Sequence, residues 1–498
     1  MFQFDVRAPR NGRTTLKDSF RKIPGSICAP RGFKAAAIFC DIKRLGTGKG
    51  SEKGQKRDLA LIVSDVPAAV AGMFTANQVC AAPVKISAKH AAGKRARAIV
   101  VNSGNANACT GDQGRKDAEE MTRATASAVA AVYDRRNGKQ KTDSAVIDRR
   151  YTKISEREVL VCSTGRIGVP MPMANVKRGI ADAAKRLTRS HAAARAAAEA
   201  IMTSDTRRKE IAVEFQLRGV PVRIGGICKG AGMIQPQMAP HATMLGFITT
   251  DAAVESGYLK TALDYAVAQS FNRITVDGDM STNDTVLILA NGLAGNETVF
   301  CSRRPAGDAT RVMQRDSLRT AKRLQRRLDT VSPYQKIFQR ALNFVTLQLA
   351  KMIVRDGEGV TRFITLHVHG GRTPDDAEAV ARAVANSTLV KTSWFGGDPN
   401  WGRILCAVGY SKAKVDETKI DVGYSRSGKT KITFAVRRGQ PTRVGLQTLG
   451  AIVAKPEFDL HIFLNAGRND CVLYTSDLTE EYVEFNKGDL SDPKSLGG

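Results

Sequence analysis

Apolar residues along the chain fall into two kinds of stretch: short continuous runs of strand length, and longer runs in which they recur on one face. Leu59–Val63, Ala98–Val101, Val159–Cys162, Met244–Ile248 and Val286–Ala290 are of the first kind and predict buried strands. A segment around Ala71–Phe74 predicts another, and residues 210–217 with 220–226 predict a hairpin that delivers Cys228 and Lys229. Phe363–His369 predicts a strand on which His367 and His369 share a face, and further strands are expected at 419–423, 430–436 and 459–464. Helices are expected over 115–132 (acidic at its start, alanine-rich after), 180–202, 259–269, 334–353, 374–388 and near 443–453.

At 498 residues the chain can bury a large core in two or three structural units. No run approaches the roughly 18 apolar residues a membrane span needs. The nine cysteines are scattered with no C-x-x-C pair, which fits a reducing compartment and argues against a disulfide framework or a zinc ribbon. A net charge of +28 attracts anions of any kind, but aromatics are only 6% and no nucleic-acid-binding module is present, so nucleic acid is not expected as a partner. Much of the charge sits in segments that interrupt the pattern. Residues 1–24 form a basic leader, either disordered or a transit peptide, and ordered structure is expected from Gly25. Gly46–Arg57 is a glycine–lysine loop without the P-loop spacing, 134–157 is a basic polar insertion, and 301–333 is dense in arginine.

Candidate chemistry centres on Lys229–Ala252. A glycine-rich turn with a lysine passes Pro236 and Pro240 and reaches Thr243, directly before the apolar run. A hydroxyl at such a join is either an ordinary strand-start threonine or an exposed nucleophile on a rigid edge. Ser163-Thr164-Gly165 ends a strand with a hydroxyl beside a backbone N–H, a pair suited to an oxyanion hole. In Asn102–Gly111, Ser103 and Cys109 are conceivable nucleophiles, but backbone-satisfying turn residues are the commoner use. Asp277, Asp279, Asn283 and Asp284 miss the calcium-loop spacing and read as a hydrogen-bonded turn. His367 and His369 have no Asp, Glu or Cys in metal spacing and read as a surface pair, so no metal is expected.

Lys229-Gly-Ala-Gly-Met-Ile-Gln-Pro-Gln-Met-Ala-Pro-His-Ala-Thr243-Met-Leu resembles the self-processing segment of the glutamate N-acetyltransferase/ornithine acetyltransferase (ArgJ) family. It differs by the three added residues Pro240-His241-Ala242. The resemblance extends from residue 25 to 491, apart from the insertions, through Asp277–Thr285, Val354–Gly359 and Val390–Ile404. It implies an α+β fold of layered mixed sheets flanked by helices, shared with DmpA-type enzymes. It also implies cleavage at Ala242–Thr243 into an α chain (25–242) and a β chain (243–498), associated as a heterotetramer. In that reading Thr243 is the nucleophile and Thr164 with Gly165 the oxyanion hole, while Thr203, Lys229, Glu358, Asn486 and Ser491 contact substrate.

The implied activity moves the acetyl group of N-acetylornithine to glutamate through an acetyl-threonine, in arginine biosynthesis. No cofactor is implied, and acetyl-CoA is a conceivable second donor. An N-terminal-nucleophile amidohydrolase or aminopeptidase is the alternative, and a basic nucleic-acid-binding protein a more distant one. The setting implied is cytoplasmic, or mitochondrial matrix or plastid if residues 1–24 are a transit peptide.

Overall fold

The apolar segments predicted around 59–63 and 71–74 are one strand, β3 (Leu59–Phe74), with an irregularity in its pairing between Val63 and Ala68. Pro67 lies in that interval, where a missing N–H costs the ladder least. The bend lets one edge of β3 change partner. Its first half pairs with β2 (Phe33–Ile38) and its second half with β9 (Thr285–Ala290), while β4 (Arg95–Asn105) holds the other edge.

The computed structural model describes residues 20–43, 56–139, 154–236, 244–300 and 333–487. Within them β1 (Phe20–Lys22), β5 (Val159–Arg166), β6 (Lys209–Leu217), β7 (Val220–Lys229) and β8 (Leu245–Thr250) complete a nine-stranded mixed sheet. Its order is β1-β6-β7-β8-β9-β3-β4-β5, with β2 set on β3. Both faces are covered. On β8, Phe247 packs toward helix 191–200 while Ile248 packs toward helices 256–268 and 333–355. That two-sided burial is why the run reads as continuously apolar rather than alternating.

The second sheet comprises β10 (Phe363–Gly371), β11 (Asp421–Arg426), β12 (Thr433–Arg437), β13 (Gln440–Pro441), β14 (Glu457–Phe463) and β15 (Asn469–Ser476), in the order β13-β12-β11-β14-β10-β15. One face packs on helices 374–385, 388–395, 401–409 and 446–453 around buried Trp394 and Phe458. The architecture is α+β, as expected. No helix among the described residues is long and apolar enough to cross a membrane.

Several expectations need correction. Regular structure is present before Gly25: Phe20–Lys22 pairs with β6, the Phe20 ring packs tilted against that of Phe344 with centroids 4.8 Å apart, and Arg21 is ion-paired with Glu214. The predicted helix 180–202 is two helices, Met173–Lys185 and His191–Ala200. Thr188 bridges to Ala35 between them, and Ser190 caps the second helix by accepting from Ala193 N at 3.1 Å. Strand β15 was not predicted. The core of the basic insertion (140–153), most of the glycine–lysine loop and the arginine-dense segment up to residue 332 lie outside the described residues.

Candidate active site

The predicted hairpin is β6–β7, turned by Arg218 and Gly219, both at positive φ as a tight two-residue connection requires. It carries Lys229 to the sheet end where Thr164 and Gly165 are the last residues of β5 before Arg166. There Lys229 Nζ donates to Thr164 Oγ1 at 2.9 Å. Gly165 sits at φ +128, and a Cβ on it would stand 2.4 Å from the Gly104 carbonyl carbon. Only glycine permits β4 and β5 to approach so closely.

Thr243 and Ala242 lie outside the described residues, as does Ser491. The chain resumes at Met244, which is buried and accepts a 2.9 Å bond from Thr285 N, and Leu245 pairs with Lys229 across β7–β8. In sequence, the predicted scissile bond therefore precedes by two residues the strand that pairs with β7 beside Lys229.

Lys229 is buried, and the loss of solvation lowers its pKa; Asp205 opposes that shift. Asp205 is the hub of a buried cluster that the sequence did not reveal. Its Oδ1 accepts from Gly230 N (2.7 Å) and Lys209 Nζ (2.6 Å), and its Oδ2 accepts from Thr203 N (3.0 Å). Lys209 also bonds Asp356, whose carboxylate accepts from Thr206 and Arg207 amides. Burial opposes the charge on Asp205, yet Lys209 and Lys229 hold its pKa down at about 2. The cluster ties the Thr203 turn, the Lys229 turn and the 356–358 turn into one unit. Nothing in sequence spacing signals it, because Lys209 and Asp356 are separated by 147 positions.

Glu358 and Asn486 do come together: Asn486 Nδ2 donates to Glu358 Oε2 at 2.9 Å. Glu358 is also close enough to Lys229 to raise the affinity of that lysine for its proton. Gly232 makes room for it, since a Cβ there would lie 2.3 Å from the carboxylate. The structure thus gathers Thr164, Gly165, Lys229, Glu358 and Asn486, with Thr203 joined through Asp205.

The 277–284 segment is the hydrogen-bonded turn expected. Asp277 accepts from Met233 and Ile234 amides at 2.6 and 2.8 Å, and Asn283 Nδ2 donates to Ala106 O and Ser163 O. It therefore braces the residue before Thr164. Asp284, which the sequence places only in this turn, is buried, and its Oδ2 has no hydrogen-bond partner among the described residues; desolvation raises its pKa well above the usual range, against the charge of Lys229. Ser103 is buried and donates to Ala200 O, so it is a structural hydroxyl. The histidine pair is not a surface pair: neighbouring β14 adds His461 to it.

Comparison with known proteins identifies the family. The ArgJ family model matches residues 43–488. The arginine biosynthesis bifunctional protein ArgJ of Symbiobacterium thermophilum is 40% identical over 464 residues, covering 93% of this chain and 98% of that protein. Glutamate N-acetyltransferase of Methanocaldococcus jannaschii is 40% identical over 471 residues, 94% of this chain and 98% of that one. Among solved structures, ornithine acetyltransferase from Mycobacterium tuberculosis complexed with ornithine is 34% identical, with a TM-score of 0.36. It covers 44% of this chain and 99% of that chain. The chain therefore belongs to the ArgJ family and is an acetyltransferase of arginine biosynthesis.

Proposed function

We propose that the protein cleaves its own Ala242–Thr243 bond and then carries acetyl groups from N-acetylornithine to glutamate on the freed Thr243. An N-terminal threonine amine has an ordinary pKa of about 7.7–8.0, so near neutrality a useful fraction is uncharged and can take the proton of its own hydroxyl. Thr243 Oγ attacks the acetyl carbonyl, the carbonyl π electrons move onto oxygen, and the tetrahedral oxyanion forms. Collapse breaks the C–N bond. The proton held by the α-amine passes to the departing amine of ornithine, leaving an acetyl ester. The glutamate amine then attacks that ester and Thr243 Oγ recovers its proton.

The observation that carries this reading is the hydrogen bond from Lys229 to Thr164. Because Lys229 donates, the Thr164 hydroxyl proton must point elsewhere, and it is polarised as a donor by the ammonium behind it. A donor so fixed, next to the Gly165 backbone, suits developing negative charge. Glu358, steadied by Asn486, supplies a carboxylate for an ammonium group of the amino-acid substrate. Thr203 and Ser491 complete the proposed substrate contacts. The remaining donors of Lys229 are available to a substrate carboxylate. No residue role in this scheme calls for a cofactor, acetyl-CoA enters only as a second donor, and the two chains are proposed to stay together as a heterotetramer. The described cysteines are free thiols, in keeping with a proposed cytoplasmic setting.

Intact mass spectrometry of purified protein tests the first step. Two fragments meeting at Ala242/Thr243 are expected from the natural chain and one uncut chain from Thr243→Ala. Transfer of labelled acetyl from N-acetylornithine to glutamate tests the second. Release of free acetate with no acetylglutamate would replace the transferase reading by the amidohydrolase one.

A further inference from the structure

On the second sheet, away from the acetyl-transfer residues, the register of β10 and β14 sets His367 directly beside His461, with His369 two positions along β10. Side chains two apart on a strand and one on the neighbouring strand share a face. The three imidazoles offer ligand nitrogens all within 4.8 Å of one another. We propose that His367, His369 and His461 form a binding site for a divalent transition-metal cation of the zinc class, with at least one coordination position left for water or another ligand.

The geometry supports this in three ways. His369 Nε2 and His461 Nδ1 are 3.3 Å apart. Two nitrogens bound tetrahedrally to one zinc at about 2.0–2.1 Å stand about 3.3 Å apart, so this pair already has the required span. In the metal-free protein one N–H bridges the two rings, and the cation replaces that proton. The His367 ring, stacked 4.7 Å from that of His461 and within 7° of parallel, must turn out of the stack as well as close in for its in-plane lone pair to meet the same cation.

Outer partners are also in place. Ser425 Oγ lies 3.0 Å from His461 Nε2, which orients that ring and leaves Nδ1 to face the cation. Asp459 Oδ2 is 4.0 Å from His367 Nε2. That carboxylate offsets the positive charge of the neighbouring Lys351, whose ammonium rests over the Tyr474 ring. Finally, the site is reachable. His367 keeps 25% of its side chain exposed, and His369 is half-buried, with its ring stacked 4.4 Å from Phe463.

The competing account is a stack of aromatic rings that holds no ion. A titration with Co2+ separates the two, using tag-free, chelator-treated full-length protein. One equivalent is expected to produce the visible ligand-field bands of a nitrogen-bound tetrahedral ion, and Zn2+ to bleach them. His369→Phe keeps the stacking on Phe463 but removes a ligand. It should weaken binding more than about 100-fold while acetyl transfer, which certifies the fold, is retained. Absence of the bands in the natural protein would overturn the proposal. So would bands of equal intensity in His369→Phe, since the ion would then be held elsewhere, for instance at exposed Cys109 or Cys406.

Discussion

Lys229 and Thr164, 65 positions apart in the chain, are joined by a 2.9 Å hydrogen bond from ammonium to hydroxyl. The bond crosses from the end of β7 to the end of β5 and fixes which way the Thr164 hydroxyl can donate. A lysine used in this manner acts through the hydroxyl it polarises, and its loss should register differently from the loss of a substrate grip.

Removing the hydroxyl donor by Thr164→Ala should lower kcat by about 10²–10³ with little change in KM, as expected for a group that acts mainly on the transition state. Thr164→Ser retains the donor and should stay within about tenfold of the natural rate. Lys229→Met should follow the pattern of Thr164→Ala if its chief partner is the hydroxyl. A rise in KM at constant kcat would instead assign Lys229 to the substrate carboxylate. Steady-state kinetics on the cleaved protein decides.

Gly165→Ala tests the same strand end through its backbone. At φ +128 an alanine is strained by about 1–3 kcal/mol. Its Cβ would also meet Gly104 C at 2.4 Å and Asn105 N at 2.6 Å, neither of which can swing aside as a side chain does. β5 must then separate from β4. The expected outcome is loss of acetyl transfer together with a lower thermal midpoint. A fully active, fully stable Gly165→Ala would contradict the close approach.

Gly232→Ala addresses the substrate side. A Cβ at 2.3–2.5 Å from the Glu358 carboxylate displaces it and with it the bond from Asn486. The carboxylate lies at the end of a flexible side chain, so stability should change little. KM for the amino-acid substrate should rise several-fold, and Asn486→Ala should do the same. Unchanged KM in both would remove Glu358 from the substrate site.

Much of this was legible in the sequence, for identifiable reasons. The strands at 59–63, 245–248 and 286–290 are buried on both faces, so they read as unbroken apolar runs. Thr164-Gly165, Lys229 and Glu358 stood out through motif resemblance, and the fold brings them together. What escaped depends on contacts distant in sequence. The helical pattern of 173–200 continues through a break imposed by Thr188 pairing with Ala35 and by the Ser190 cap. His367 and His369 could not be joined to His461 without the register of β10 on β14. Asp356 lies inside the Val354–Gly359 match beside Glu358, while its partner Lys209 lies far off in the chain on β6.

That last pair leads to a prediction about acid. Asp205 and Asp356 flank Lys209 with their side chains almost fully shielded from water. Burial opposes the charges on Asp205 and Lys209, but the two carboxylates hold Lys209 above its ordinary pKa, and Lys209 with Lys229 holds Asp205 at about 2. Because the folded pKa of Asp205 lies below the unfolded value, its contribution is fully present above about pH 4. It is lost as pH falls toward 2, and amounts to roughly 2 kcal/mol. The raised pKa of Lys209 acts at the other end, contributing below the ordinary lysine value and fading as pH rises past it. Lys209→Met leaves two buried carboxylates without their cation and should destabilise by about 3–5 kcal/mol near neutrality. Asp205→Asn keeps the shape and should flatten the loss of stability between about pH 4 and 2. Urea midpoints measured across pH on the uncut Thr243→Ala background, where a single chain unfolds, give both results. An acid limb of the same depth with and without the Asp205 carboxylate would mean that other groups govern it.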